Sequence, residues 1–314
     1  MSLTVFVADE SSSLKRAAIS ALTGAGYRVK TVASGLEERA WARRCGAKLV
    51  SIDMEDAESV QRAIAGADSI VGLMAKIPSP FGIRSRGWQE ANRRRAARAR
   101  LLVDAAIAEG VPQYIHESAA VVYADAGTRW IDESQPTDAH GSEVLRSITQ
   151  GERETARFSQ LGRRGTVLRF GSFYDDAGTP STTEVIELVR RRSLYRFGTG
   201  RNWISTVHAS DAGNAIVAAL TLSSGIYNVC DDQPIVLADY LEVVASSVGA
   251  PHPPSLPQAF GSLAFGDAWS YMVRSLRVSN ACFKSACDWK PRFSSAQIGW
   301  GMIGCEVVNR QLGI

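Results

Sequence analysis

The segment TVFVADESSSLKRAAISALTGAGYRVKTV, residues 4–32, sets the architecture of the chain. A short β-branched run is followed by a longer amphipathic stretch and then by a second β-branched run. The same alternation of strand and helix patterns continues to residue 170. Alternation of this kind indicates parallel strands joined by helical crossovers. We therefore predict an α/β fold with a doubly wound parallel sheet.

The hydrophobic periodicity places the individual elements of this sheet. The predicted strands are Thr4–Ala8, Arg28–Val32, Lys48–Ile52, Ser69–Met74, Gln113–Glu117 and Thr166–Phe170. The predicted helices are Leu14–Ala25, Leu36–Cys45, Ala57–Ala65, Trp88–Glu109 and Ser142–Gln160. Beyond residue 170 the segments are rich in Gly and Pro, as in loops that line a site above a sheet. The sequence predicts a Rossmann-like domain over 1–170, with contributions from about 203–230, and a smaller substrate-binding lobe over 171–314.

Composition and charge limit the classes of partner. The 314 residues include 35 Lys and Arg against 32 Asp and Glu, for a formal net charge of +3. This balance gives no electrostatic case for nucleic acid or an anionic membrane, and no apolar run approaches the roughly 20 residues of a membrane span. The five cysteines form no CxxC pair and no cluster has metal-ligand spacing, so no metal site is predicted. We expect a cytoplasmic protein with a small-molecule partner.

Several motifs, each weak individually, occur in the order and spacing of one known family. They are SAAVVY (118–123), LRFGSFY (168–174), VHASDA (207–212), IYNV (226–229) and DWKP (288–291). With these motifs the chain resembles the extended short-chain dehydrogenases, specifically their NAD-dependent epimerase/dehydratase branch, over about its whole length. The resemblance implies a Rossmann-type sheet, a nicotinamide cofactor at the carboxyl ends of the strands and a C-terminal substrate lobe.

The turn after the first strand departs from the pattern of this family. Relatives have GxxGxxG there, and the glycines let backbone amides approach the pyrophosphate. In this chain the three positions hold Asp9, Ser12 and Lys15. The carboxylates of Asp9 and Glu10 repel phosphate, and Lys15 offsets part of that repulsion. Asp53 keeps the adenine-contacting position of the family, but the predicted second strand ends without an acidic ribose anchor. We predict no cofactor, with NAD(P) in an altered pocket as the alternative.

The catalytic pattern of the family is also replaced. Relatives use a Ser or Thr and a YxxxK pair, in which the lysine lowers the pKa of the tyrosine. The fragment Val144–Glu152 aligns with that helix, so that Val144 and Ile148 stand at the tyrosine and lysine positions. The serine position falls on Ala119, next to Ser118. The usual hydride chemistry therefore lacks its proton shuttle in this sequence.

Other polar residues lie near the carboxyl ends of the predicted strands, where ligands bind in open α/β sheets. The candidate acid–base residues are Glu117, Ser118, Tyr123 and His140. The candidate substrate-binding residues are Tyr174, Asp175, Arg201, Asn202 and Trp203. Structural alternatives remain open: Glu117 turned to solvent or paired with an arginine, Tyr123 packed as in relatives, and His140 merely solvated. His208 and Asp211 are assigned to helix capping.

Together these features favour a non-redox enzyme that performs isomerisation, cyclisation, dehydration or epimerisation on a small molecule by acid–base chemistry. Two alternatives remain open. One is an NAD(P)-dependent epimerase or oxidoreductase with a divergent cofactor site, and the other is a non-catalytic ligand-binding or regulatory protein. A homodimer through the long fourth helix is common in the family. Five arginines crowd that helix, at positions 93, 94, 95, 98 and 100.

Overall fold

A computed structural model describes residues 2–8, 12–74, 86–140, 142–176, 179–265 and 269–312. The strands of its central sheet are β1 Thr4–Ala8, β2 Arg28–Thr31, β3 Lys48–Leu49, β4 Ser69–Gly72, β5 Gln113–Ala119, β7 Arg164–Phe170 and β12 Gly225–Val229. They form one seven-stranded sheet in the order β12-β7-β5-β4-β1-β2-β3. All neighbouring strands are parallel. The order runs outward from β1 in both directions, so the sheet is doubly wound, and the predicted fold is confirmed.

Helices cover both faces of this sheet, which is why β1 is buried along its whole length. One face packs against α1 Ser13–Gly24, α2 Gly35–Arg44 and α7 Ala209–Ala219. The other face packs against α3 Ala57–Ile64, α4 Arg86–Ala108 and α5 Glu143–Gln160. Gly213 lets α7 approach α1 closely, because a Cβ atom there would lie 2.6 Å from the backbone carbonyl of Ala17.

The predicted strands and helices of this region are present, with shifted ends. β3 is shorter than predicted, since it lies at the edge of the sheet and pairs with β2 alone. β5 and β7 are longer than predicted, because they pair with each other over seven consecutive positions. The longer β5 carries residues 117–119 to the carboxyl edge of the sheet, where the candidate acid–base residues lie.

The remaining elements form a second layer above the carboxyl edge of the sheet. Its helices are α6 Pro180–Arg190, α8 Leu237–Ser247, α9 Gln258–Phe265, α10 Trp269–Met272 and α12 Ala296–Leu312. The helix α11 Ala281–Ala286 packs instead against β12 of the central sheet. Its strands pair in twos: β6 Trp130–Ile131 with β15 Arg277–Val278, β8 Ser172–Tyr174 with β11 Thr206–His208, β9 Arg196–Phe197 with β14 Ser255–Leu256, and β10 Trp203–Ile204 with β13 Ile235–Val236.

An apolar cluster centred on Trp300 joins α6, α8 and α12. The division of the chain at residue 170 stays a prediction, and three later elements, β12, α7 and α11, lie in or against the central sheet. Within the described ranges, no helix combines the length and the apolar character that a membrane crossing requires.

Candidate active site

The turn that follows β1 leads into α1, and its described part begins at Ser12. The hydroxyl oxygen of Ser12 accepts a hydrogen bond from the backbone N–H of Lys15 at 3.1 Å, so Ser12 caps the helix. Asp9, predicted to occupy the first position of the cofactor slot, lies outside the described residues, as does Glu10. The described start of α1 is therefore stabilised by one of the protein's own hydroxyl groups.

The side chain of Lys15 points into the protein, and the residue is only 1% exposed. Its Nζ donates hydrogen bonds to the carbonyl oxygen of Val32 at 2.7 Å and to Glu38 Oε1 at 3.0 Å. Glu38 Oε2 accepts two more hydrogen bonds, from the backbone N–H of Ser34 at 2.9 Å and from its hydroxyl at 3.2 Å. Burial raises the pKa of Glu38, but the Lys15 ammonium and the Ser34 donors outweigh burial and hold that pKa below its ordinary value.

This buried ion pair lies just beyond the ends of β1 and β2, where the cofactor of the related enzymes would extend. From the sequence we expected Lys15 to offset part of the phosphate repulsion. The structure corrects this expectation, because Glu38 neutralises the charge of Lys15. Asp53 is exposed, and its Oδ1 accepts a hydrogen bond from the N–H of Glu55 at 2.9 Å. The described part of the slot thus consists of a capped helix start, a buried ion pair and an exposed carboxylate.

The positions of the family's tyrosine and lysine are buried in an apolar cluster. Val144 and Ile148 lie one turn apart on α5 and pack with Leu145, Met74 and Val122. Both side chains are closed off from solvent. In relatives this face of α5 supplies a proton shuttle, whereas in this chain it carries aliphatic side chains. The cluster of Val144, Leu145, Ile148, Met74 and Val122 is called the apolar wall below.

Tyr271, on α10 of the second layer, packs against this wall. Burial raises the pKa of its phenol to about 12, although the charge of Arg95 opposes the shift. Arg95 is itself buried on α4 and donates hydrogen bonds to Asn92 Oδ1 at 2.9 Å and to Ser147 Oγ at 2.8 Å. A tyrosine side chain from a different part of the chain thus packs against the wall, which the sequence motifs did not indicate.

Glu117, near the end of β5, is 8% exposed. Its Oε2 accepts a hydrogen bond from the backbone N–H of Met74 at 2.6 Å. Met74 follows the end of β4, so the carboxylate lies at the carboxyl edge of two neighbouring strands. Of the interpretations that the sequence left open, the one in which Glu117 turns to solvent is wrong, because the side chain is buried.

A row of polar side chains crosses the face of the central sheet that α5 covers. Ser118 on β5 is the registered partner of Arg169 on β7, and Arg169 is the partner of Asn228 on β12. Glu152 of α5 contacts this row from the helix that covers it. Its carboxylate accepts hydrogen bonds from Ser118 Oγ at 2.5 Å and from two nitrogens of Arg169 at 2.8 and 2.7 Å. The two-pronged contact between guanidinium and carboxylate is the strongest geometry available to such a pair.

Tyr123 completes this polar row. Its hydroxyl donates a hydrogen bond to Asn228 Oδ1 at 2.8 Å, and the guanidinium of Arg169 lies 4.6 Å from its ring centre. Burial raises the pKa of the phenol, whereas Arg169 and Asn228 act in the opposite direction. The row therefore unites two predicted residues, Ser118 and Tyr123, with three that were not predicted as site residues.

Those three residues, Glu152, Arg169 and Asn228, are each part of a motif quoted above, but the motifs alone do not place them together. One signal was available in the sequence. Arg169 and Asn228 are polar residues inside otherwise apolar strand patterns near a carboxyl end. Such residues must find partners when buried, so they mark a polar site.

The remaining predicted residues lie elsewhere. His140 is exposed on the loop before α5. Arg201 is exposed, and the side-chain amide of Asn202 donates a hydrogen bond to the carbonyl oxygen of Arg274 at 3.3 Å. The ring of Trp203 carries the guanidinium of Arg277, 4.5 Å from its centre. Trp203 thus already has a stacking partner within the protein, so its role as a substrate platform stays a prediction.

Tyr174 and Asp175 are both buried. Tyr174 packs against Trp300 in the core of the second layer, and its hydroxyl donates a hydrogen bond to Asp231 at 3.4 Å. Asp175 Oδ1 accepts a hydrogen bond from the N–H of Asp176 at 2.9 Å. Both side chains have contacts within the protein, and their role in binding substrate stays a prediction.

His208 caps α7, as its motif indicates, because its Nδ1 accepts a hydrogen bond from the N–H of Ser210. Asp175, Asp176 and His208 lie close enough together to suggest a metal site. The cap leaves the proton of the neutral imidazole on Nε2, which faces Asp176 Oδ1 at 3.3 Å. Nε2 forms no hydrogen bond within the described part of the chain, so the cap through Nδ1 is the hydrogen-bonded role that the structure shows for His208.

Comparison with known proteins adds a family and several relatives. The model of the NAD dependent epimerase/dehydratase family matches residues 16–230. A Streptomyces protein named 3-diazoavenalumate denitrifying reductase is 27% identical over an alignment of 311 residues, and the alignment covers 95% of this chain and 99% of that protein.

Solved structures with low sequence identity share the fold. UDP-glucose 4-epimerase from Thermotoga maritima, solved with UDP-glucose, has a TM-score of 0.77 at 16% identity and covers 99% of this chain and 100% of its own. UDP-glucose 4-epimerase from Thermus thermophilus, solved with NAD, has a TM-score of 0.78 at 16% identity, with 98% and 99% covered. At these identities the structures support the fold alone.

Proposed function

Because the chain belongs to the NAD-dependent epimerase/dehydratase family, we propose that this enzyme transforms a small organic molecule by acid–base chemistry. The proposed reaction is an isomerisation, cyclisation, dehydration or epimerisation. It proceeds without hydride transfer through a dinucleotide in the position that is usual for the family.

The buried Lys15–Glu38 ion pair carries this proposal. The ammonium and the carboxylate lie 3.0 Å apart beyond the ends of β1 and β2, and both are shielded from water. Placing a dinucleotide there would require the ammonium and the carboxylate to be separated. Separating a buried pair costs on the order of 3–5 kcal/mol, equal to most of the affinity of a millimolar ligand.

A base and an acid are available around Met74. Its backbone N–H holds the Glu117 carboxylate, and its side chain belongs to the apolar wall that Tyr271 contacts. With a pKa of about 12, the Tyr271 phenol keeps its proton at neutral pH and is a donor rather than a base. In the proposed reaction Glu117 removes a proton from a carbon acid, and Tyr271 donates one to the developing negative charge.

The wall formed by Val144, Ile148 and Val122 favours an apolar or aromatic part of the substrate at this position. The same wall excludes water from the reacting atoms, which strengthens the electrostatic interactions of the two groups. The substrate class that fits is therefore a small molecule with an apolar body and an acidic C–H bond.

Transfer of solvent deuterium into carbon positions tests the proposal even while the product is unidentified. Purified protein is incubated in deuterated buffer with a panel of small cyclic and aromatic metabolites, without dinucleotide, and exchange is followed by NMR. We expect exchange with at least one compound. Tyr271→Phe and Glu117→Gln should each slow it by about 100-fold, because each removes a proton-transfer group.

Tyr27→Phe is the matched control, since Tyr27 precedes β2 at the opposite edge of the sheet. It should leave the exchange rate unchanged. Thermal-shift titrations with NAD, NADH, NADP and NADPH should leave the melting temperature unchanged, because a ligand must bind the folded state to raise it. Turnover that requires a dinucleotide would overturn the proposal. Binding of a panel compound without exchange would favour the regulatory alternative.

A reductase is the second candidate, favoured by the Streptomyces relative whose similarity spans nearly the full length of both chains. Its name gives 3-diazoavenalumate as substrate. Incubation of this compound with the protein, with NADH, with NADPH and with neither, separates the two candidates. Consumption only in the presence of a reduced dinucleotide would establish the reductase. Consumption without one, or none at all, leaves the acid–base proposal in place.

A further inference from the structure

A groove of about 410 Å³ lies along α5 on the side away from the apolar wall. Arg146, Thr149, Glu152 and Arg153 of α5 form one side, and Thr137 and His140 of the preceding loop form the other. The groove is separate from the proposed reaction site, since Val144 and Ile148 lie on a different face of the helix.

The loop side of this groove is held in place by the rest of the protein. Asp138 donates its backbone N–H to the carbonyl oxygen of Val122 at 2.8 Å. Its own carbonyl and carboxylate oxygens accept hydrogen bonds from the buried guanidinium of Arg274, both at 3.0 Å. Thr137 also forms an isolated β-bridge with Tyr123. The two walls therefore keep a fixed spacing before any ligand enters.

The charge of the groove is positive because its one acidic lining residue is already neutralised. Both carboxylate oxygens of Glu152 are engaged by Arg169, and one also by Ser118. The guanidinium of Arg153 donates a hydrogen bond to a neutral amide oxygen, that of Gln150, at 3.4 Å. Among the described residues, no carboxylate forms an ion pair with Arg146 or Arg153.

The two arginines are seven residues apart, so about 10 Å separates their positions along the helix axis. Flexible arginine side chains close that separation around a ligand seated between them, and their planar N–H groups match the oxygens of carboxylate and phosphate. Thr137 and His140 add polar groups on the facing wall.

We infer that this groove is a binding site for a small oxyanion, a molecule carrying a carboxylate or phosphate group. Arg146 and Arg153 supply the charge, and the loop at 137–140 supplies the opposite wall. The site is independent of the proposed reaction, since its ligand is recognised by charge on the outer face of α5.

Isothermal titration of the full chain with inorganic phosphate, and separately with benzoate, tests this site. We expect saturable binding of at least one probe at low ionic strength. The double variant Arg146→Ala/Arg153→Ala should weaken that binding at least about tenfold, because two charge-assisted contacts are lost. Arg146→Lys/Arg153→Lys should retain part of the affinity, since charge is kept while the planar hydrogen-bonding geometry is lost.

Arg43→Ala is the matched control, because Arg43 is an exposed arginine on α2, remote from the groove. It should bind both probes as the unmodified protein does. Binding of phosphate alone or of benzoate alone supports the site and identifies the preferred oxyanion. Equal affinity in the double alanine variant, or no binding of either probe, would overturn the inference. Neither outcome bears on the acid–base proposal, since titration heats do not depend on turnover.

Discussion

Two buried ion pairs lie near the carboxyl edge of the same sheet, and they differ in what surrounds them. Lys15 and Glu38 fill the region beyond β1 and β2, where they meet backbone groups of Val32 and Ser34. Glu152 and Arg169 belong instead to a row of side chains across β5, β7 and β12. The first pair is shielded from solvent, whereas Glu152 of the second pair lines an open groove. Similar electrostatic elements thus close one region and leave the other accessible.

Arg169→Met should produce the largest effect among changes that test this comparison. It leaves the Glu152 carboxylate buried without its cation and also removes the contact with the Tyr123 ring. We expect the free energy of unfolding, measured by urea denaturation, to fall by about 3–5 kcal/mol. The double variant Arg169→Met/Glu152→Gln should recover most of that loss, because no unpaired charge remains. A loss below about 1 kcal/mol in the single variant would show that the row is solvated rather than buried.

Glu38→Leu applies the same test to the pair beyond β1 and β2. The Lys15 ammonium would lose its partner Glu38 and keep the hydrogen bond to the Val32 carbonyl, so we expect a loss of about 2–4 kcal/mol in the same denaturation measurement. Lys15→Met/Glu38→Leu should lie close to the unmodified protein, since well-packed apolar residues often replace a buried pair without cost. If the double variant is as unstable as the single one, the region depends on the hydrogen bonds to Ser34 rather than on the charges.

Gly151→Ala tests how tightly α5 packs on the sheet beside the polar row. A Cβ atom at position 151 would lie 2.2 Å from Nε2 of the buried His116. We expect a loss of about 1–3 kcal/mol from overpacking, measured as a lower urea midpoint. Gly301→Ala on α12 is the control, because no atom lies within 4 Å of its added Cβ and alanine favours helix. Equal midpoints for the two variants would contradict the close contact.

The smallest expected effect concerns pH and the end of β12, the strand that carries Asn228. Burial raises the pKa of Asp231, which follows that strand, to about 8, well above its ordinary value of 3.8. The folded protein therefore holds a proton that the unfolded chain releases, so stability falls as pH rises through this interval. Asp231→Asn should remove this dependence and be more stable than the unmodified protein by about 1–2 kcal/mol near pH 9.

Urea denaturation at about pH 5 and about pH 9 measures this difference, with the exposed Asp239→Asn as control. Glu38 should respond in the opposite direction. Its pKa is lowered in the folded protein, so its contribution is present at neutral pH and is lost as pH falls below the ordinary glutamate value. Parallel pH profiles for Asp231→Asn and the unmodified protein would rule out a buried proton at this position.

The fold was largely predictable, because strand and helix patterns are local and repeat along the chain. The replacement of the two motifs was also a prediction from the sequence, since Lys15, Val144 and Ile148 stand at positions that fixed spacing identifies. The contacts that these residues form could not be predicted in the same way. The sequence suggested that the charge of Lys15 favours phosphate. In the structure Glu38 neutralises that charge, and this partner lies 23 residues away on α2, where the sequence pattern does not indicate it.

The candidate site was predictable only as separate residues. Ser118 and Tyr123 were singled out, but the partners that bind them are 34 and 105 positions distant. Tyr271 gave no signal at all, since it lies far along the chain on a short helix without a motif. Strand order and register decide which side chains meet, and neither can be read from the composition of a single strand.

By itself, the sequence determined the alternation of strands and helices and the doubly wound sheet, and it predicts the replacement of the glycine turn and of the Tyr/Lys pair. These are properties of neighbouring residues, and backbone geometry expresses them locally. The tertiary structure alone decided that Lys15 pairs with Glu38, that Glu152 neutralises Arg169, and that Tyr271 reaches the wall at Val144 and Ile148. Burial makes each polar group depend on partners that only the folded chain brings within reach.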